Sequence, residues 1–162
     1  MRLVHVLCLL GSLSVPVPLA ARQDHHGSSD QRGATVMGFD QALTTHHFLL
    51  FTDGGAIEVS VNDLADTKNR DAIRSHLPHI AIMFGEGNFD AAMLVHDSKN
   101  VPGTKSMTKY KSAIGYQYVE TVKGGRVDIV TSDPAALAAV HRFLKFQIAE
   151  HKTGDPTTAR TR

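Results

Sequence analysis

The sequence predicts an α+β fold: one two-layer domain in which an antiparallel four-stranded sheet carries two helices on one face, built as a ββα-ββα pseudo-repeat. Three observations predict it. Alternating apolar residues flank two glycine-rich turns, Asp53-Gly54-Gly55 and Lys123-Gly124-Gly125, and such turns favour hairpins because both central positions need a positive φ. Each hairpin is followed by a stretch whose apolar residues recur at steps of three and four, the period of a helix with one buried face. The two halves also share a common numbering offset.

The first hairpin opens at Thr44. His47, Leu49 and Phe51 alternate with His46, Phe48 and Leu50, and after the turn Ile57, Val59 and Val61 alternate with Glu58 and Ser60. Asp63 or Asp66 can cap the helix that follows, which runs to about Phe84 and is stopped by Gly85 and Gly87. Ile73, Leu77, Ile80, Ala81 and Phe84 form its apolar stripe, and Pro78 inside it predicts a kink or break over 74–78. Residues 88–112 read as a long irregular stretch, with a short strand over Met93 to His96 and a turn at Pro102-Gly103.

In the second hairpin Ile114, Tyr116 and Tyr118 lead to the turn, and Val127 and Ile129 alternate with Arg126 and Asp128. Ser132-Asp133-Pro134 opens the last helix with a capping residue and a proline in the first turn. Leu137, Val140, Leu144 and Ile148 form its stripe, and Gly154 closes it. Phe143 and Phe146 fall off that stripe, which predicts a second contact surface for a homodimer or a protein partner.

The repeat is read from spacing. Gly54-Gly55 with Gly124-Gly125, Ile57 with Val127, Val59 with Ile129 and Asp63 with Asp133 all match at an offset of 70. The helices match at 67, Ala72 with Ala139, Ile73 with Val140 and Leu77 with Leu144. At that offset His76 and His79 align with Phe143 and Phe146, so the first helix carries imidazoles where the second carries phenyl rings.

Around this domain, assigned to residues 44–155, the chain divides simply. Residues 1–21 have the layout of a secretory signal: Arg2, an apolar run from Leu3 to Val15, then small residues ending at Ala20-Ala21. The apolar run falls short of the ~20 residues a membrane span needs. A periplasmic or secreted protein is expected, with 22–43 a flexible leader and 156–162 a disordered tail. Cys8 is the only cysteine and lies in the signal, so no disulfide or thiolate site is expected in the mature chain. Removing Arg2 leaves 16 basic residues facing 16 acidic ones, a balance that argues against nucleic acid as partner.

Histidine is the unusual component, ten in the chain, and tryptophan is absent. His76, His79 and Met83 run along the shoulder of the first helix, and His96 and Met107 lie in the long segment behind it. Neutral imidazole is the commonest side-chain metal ligand and thioether sulfur suits Cu(I). These five residues therefore form the candidate metal site, copper ahead of zinc. The spacing matches no established metal signature such as HExxH. His46 and His47 are adjacent on a strand, so at most one can point into a site. His25-His26 fall in the leader, His141 reads as a buried histidine with a hydrogen bond, and His151 sits in a last helical turn where the dipole favours a cation.

Two other readings stand beside metal binding. One is an envelope-associated ligand- or protein-binding module with structural histidines. The other, less supported, is a small enzyme with His76, His79 or His141 as general base; no nucleophile elbow, phosphate loop or dinucleotide fingerprint supports it. The stretches TTHHF at 44–48, HLPHIAIMF at 76–84 and FLKFQIAEHKTGD at 143–155 resemble small exported bacterial proteins of unassigned function. That resemblance implies a bacterial source and no activity.

Overall fold

The computed structural model describes residues 33–162; the expected signal and the first half of the expected leader, 22–32, lie outside them. The sheet is built from β1 (Thr44–Phe51), β2 (Gly54–Val61), β3 (Gly115–Thr121) and β4 (Gly124–Val130). All neighbours are antiparallel and the order is β1-β2-β4-β3. Two long helices, α1 (Thr67–Gly85) and α4 (Pro134–His151), pack on the sheet, and two short ones, α2 (Asp90–Val95) and α3 (Thr104–Lys109), fill the connection between the halves. The α+β class and the four-stranded antiparallel sheet are as the periodicity predicts.

The internal match has a geometric meaning. Ile57 and Val127, equivalent at the offset of 70, pair directly across β2 and β4. An antiparallel pair centred on equivalent residues relates the two hairpins by a local twofold axis. The helices follow the same relation in swapped form: α1 lies over β3 and β4, and α4 over β1 and β2. The glycines explain the close fit. A Cβ on Gly55 would run into Leu144 of α4, and one on Gly125 would stand 3.1 Å from Cδ1 of Leu77 of α1. Each hairpin thus leaves a gap that the other half's leucine fills.

Local signals set the helix ends. Asp66 accepts a hydrogen bond from the amide of Asn69 and caps α1; Asp133 accepts from the amides of Ala135 and Ala136, both at 2.8 Å, and caps α4. Pro78 does not end its helix, which continues through it to Gly85.

The connection departs from expectation. Met93 to His96 belongs to helix α2 and its cap, not to a strand, and 104–109 form a further helix. Both are short, six residues each, and lie outside the sheet, whose edges are β1 and β3. Gly103, at φ 92°, delivers α3 onto α4. A Cβ there would stand 2.5 Å from the carbonyl oxygen of Ala139 and 2.9 Å from Cβ of Phe143. Because α4 backbone cannot move aside and the φ is strained for any other L-residue, Gly103→Ala is expected to lower stability by at least about 2 kcal/mol, read as a shift in a urea midpoint. A loss within ~0.5 kcal/mol would show that α3 is not seated on α4.

The segments flanking the domain carry contacts. In the leader, Phe39 is only 3 % exposed and joins the core. After α4 the chain follows the outer edge of β1: Asp155 accepts the amide of Phe48, and Arg160 exchanges backbone hydrogen bonds with Leu50 and Thr52. Arg162 then lies over the ring of Phe51 and pairs with Asp53 and Asp128. An edge strand that would otherwise offer unpaired amides is covered in this way. No helix among the described residues is long and apolar enough to cross a membrane.

Candidate functional site

Four histidines from four different elements line one pocket. His46 comes from β1, His76 from α1, His96 from the cap of α2, and His151 from the last turn of α4. On β1, His46 shares the parity of Phe48 and Leu50, so it points to the helix-covered face. On α4, Phe143, Gln147 and His151 lie at steps of four and present one face to the pocket.

The strand end and the helix end are held together from the opposite side. His47, pointing away from the pocket, places Nδ1 2.8 Å from Asp155, and the same carboxylate takes the Phe48 amide at 2.9 Å. Burial pushes the Asp155 pKa up, but hydrogen bonds from Thr153, Phe48 and His47 outweigh it and hold the carboxyl below its usual value. This clamp fixes the chain just after α4 against β1, and so fixes His151 against His46.

The rings meet closely. His46 and His151 stack with centroids 5.7 Å apart, and His96 stands edge-on to His151 at 5.1 Å. Phe39 stacks on His46 at 5.9 Å and meets His76 edge-on at 6.0 Å, bridging the two. Nε2 of His96 lies 2.9 Å from Oε1 of Gln147. The amide oxygen can only accept, so the proton is on Nε2 and Nδ1 presents a lone pair. Among the described residues, that Nδ1 and the buried Nε2 of His46 have no hydrogen-bond partner.

Burial governs the charge of these groups. It pushes His46 down to about 4, with help from His47 and His76, and His151 down to about 3, with help from His46 and His96. His76 is lowered for the same reason, with His79 contributing. His46, His76 and His151 are therefore neutral at pH 7, the form in which imidazole binds metals. The helix-dipole reading of His151 is overturned: a dipole contribution of about 1 kcal/mol at a helix C-terminus cannot offset burial of the ring.

The candidate residues separate cleanly. His76 and His96 line the pocket. His79 is exposed and donates from Nδ1 to the carbonyl of Ser75 at 2.8 Å. Met83 packs against the core and Met107 is 0 % exposed within it; neither lines the pocket. The ring partners of His76 come from other elements and not from its own helix. His46 and His151 were not chosen from sequence, yet each sits at a core-facing phase of its element, which is the signal that marks them. His141 is structural: its Nε2 meets the carbonyls of Phe51 and Gly54 at 2.9 and 3.0 Å, holding the β1–β2 turn.

Phe143 and Phe146 do not form an exposed patch. Phe143 is 1 % exposed in the core, and Phe146 packs edge-on to His96 at 5.0 Å. The stripe of α4 is displaced so that Phe143 and Gln147 are buried with Val140, Leu144 and Ile148.

The chain matches no family model, no curated protein and no solved structure.

Behind the imidazoles the wall is apolar, with Ile57, Val59, Leu77, Ile80, Phe84 and Phe143 among its residues, around a cavity of about 70 Å³. Among the described residues no three or more His, Cys, Asp and Glu side chains already stand in an arrangement that holds a metal ion. Convergence of the imidazoles requires rotation about their side-chain torsions.

Proposed function

We propose that the protein is an exported binding protein whose histidine pocket takes a transition-metal ion, copper or zinc. The observation that carries this reading is the contact of His46, His96 and His151 at centroid distances of 5.1 and 5.7 Å, with unpartnered ring nitrogens buried beside an apolar cavity. Two imidazoles that share one ion at 2.0–2.1 Å place their centroids about 5 Å apart, a spacing close to that of these rings. Buried polar atoms without partners are costly in a domain of this size, and a ligand would supply what they lack.

The remaining parts fit a metal site. Gln147 accepts from the far nitrogen of His96, the orienting contact that metal-bound histidines ordinarily have. His76 is available as a further ligand from α1. With Met83 and Met107 away from the pocket, an all-imidazole site suits zinc as well as copper. Export is supported by the charge and hydropathy layout of residues 1–21.

The test is metal titration of the purified protein. The wild type is expected to bind close to one Cu or Zn ion, and His46→Ala and His151→Ala each to weaken binding at least about 100-fold. His79→Ala, which changes an exposed ring outside the pocket, is expected to leave affinity within about twofold. Equal loss from His79→Ala and His46→Ala would move the site off the pocket and sink the reading.

A further inference from the structure

We infer that the open edge of β3 pairs antiparallel with the β3 of a second copy of this chain, so that two domains share one continuous sheet with their α1 helices side by side. The internal twofold singles this edge out. On β1 the backbone groups that face outward belong to Phe48, Leu50 and Thr52, and the C-terminal tail bonds to all three. Their equivalents at the offset of 70 are Tyr118, Glu120 and Val122. The two-residue turn between Thr121 and Gly124 gives the same alternation, with the backbone of Tyr116, Tyr118 and Glu120 aimed away from β4. Arg74 reaches the carbonyls of Thr121 and Val122 at the strand end. Among the described residues, no partner meets the outward groups of Tyr116, Tyr118 and Glu120. Nor is the edge blunted: β3 holds no lysine or proline, Glu120 is its one charge, and its register with β4 runs without a bulge.

Register and spacing identify the occupant. Centred on Tyr118, two antiparallel copies of GYQYVET oppose Tyr118 to itself and Tyr116 to Glu120, and each outward group then has a partner. α1 runs antiparallel to β3, with Arg74 beside Thr121 and Gly85 beside Tyr116. At rises of about 1.5 and 3.3 Å per residue, the axis through Tyr118 passes α1 near Ile80 and Ala81. Because α1 lies over the β3–β4 pair, the two α1 axes stand about two strand spacings apart, roughly 10 Å, which is the packing distance of helices. On that side α1 presents Pro78, Ala81 and Gly85 at steps of three and four, with Ile82 60 % exposed at their rim. The same rotation sets the end of one helix that carries Arg74, held 3.2 Å from its own Glu120, against the end of the other that carries Glu86. Such a complement of charge is specific to a second copy.

The test is sedimentation velocity of the purified protein with metal chelated, which keeps the outcome independent of the histidine pocket, together with amide hydrogen exchange read residue by residue. The wild type is expected to pass from the mass of one chain to that of two as concentration rises. Over the same range the amides of Tyr116, Tyr118 and Glu120 are expected to gain at least about tenfold protection. Gly85→Arg suits the single copy, where a Cβ meets Cδ2 of Tyr116 at an ordinary 3.9 Å, and is expected to weaken dimerisation at least about tenfold. Glu120→Pro removes one outward amide from an edge strand and is expected to do the same with the fold retained. A single-chain mass at every concentration would overturn the inference. So would a dimer whose β3 amides exchange freely, since its contact would lie on another surface. If neither variant folds, exchange on the wild type alone decides between these outcomes.

Discussion

Acidification from pH 7.5 to about pH 4.5 is expected to remove on the order of 5 kcal/mol of folding stability, most of it through His46 and His151. Burial holds both rings neutral in the folded protein, at about 4 and about 3, while in the unfolded chain each titrates near 6.5. Above pH 6.5 neither state takes up a proton at these sites, and stability is fully present. Below it the unfolded state binds protons that the folded state refuses, so stability falls as pH drops towards the folded values. Each histidine contributes a slope of about 1.4 kcal/mol per pH unit in that window.

His76, lowered in the same direction, adds to the fall. Asp155 does not, because a carboxyl held below its usual value loses its contribution only under the window in question. Urea unfolding at half-unit pH steps reads the slope directly. His151→Phe, if folded, should flatten it by roughly half; a slope unchanged by that substitution would show that other groups cause the acid sensitivity. Saturating metal should steepen the slope, because a ligand that binds only neutral imidazoles in the folded state adds to the same proton linkage.

Phe143→Ala is expected to cost about 3–5 kcal/mol. The ring is 1 % exposed, meets Phe84 edge-on at 5.8 Å and Phe89 at 6.0 Å, and lies under the Gly103 approach of α3 to α4. Truncation would leave a void between α1, α4 and the connection, where rigid backbone prevents collapse. Denaturant unfolding measures the loss, and sedimentation should give one oligomeric state for both proteins. A change in oligomeric state with a stability loss under ~1 kcal/mol would restore the reading of Phe143 as a partner contact.

These two expectations turn on residues that the sequence reading treated differently. Sequence position puts His151 in a last helical turn, where the dipole favours a cation, and Phe143 falls off the stripe when the phase is taken from Leu137. Leu137 is only half-buried, while Gln147 is buried at 4 % exposure. A polar residue on the core face concealed the correct phase. His46 was legible in part: strand alternation showed that it and His47 face opposite ways, and parity with Phe48 and Leu50 points to the buried side. His79 and Met83 were grouped with His76 because neighbours on one helix are easy to see. The true neighbours of His76 are brought from β1 and α4.

The sequence by itself determined the elements and their class. Alternation, glycine turns, aspartate caps and the offset of 70 are local or near-local signals, and they specify two hairpins, two long helices and an antiparallel α+β sheet. What only the tertiary structure decided is which histidines share a pocket. That depends on pairing Ile57 with Val127, on each helix crossing to the other half's hairpin, and on Asp155 binding β1 next to His47. Such contacts join residues up to about a hundred positions apart, and their energies come from burial and packing that no single segment contains.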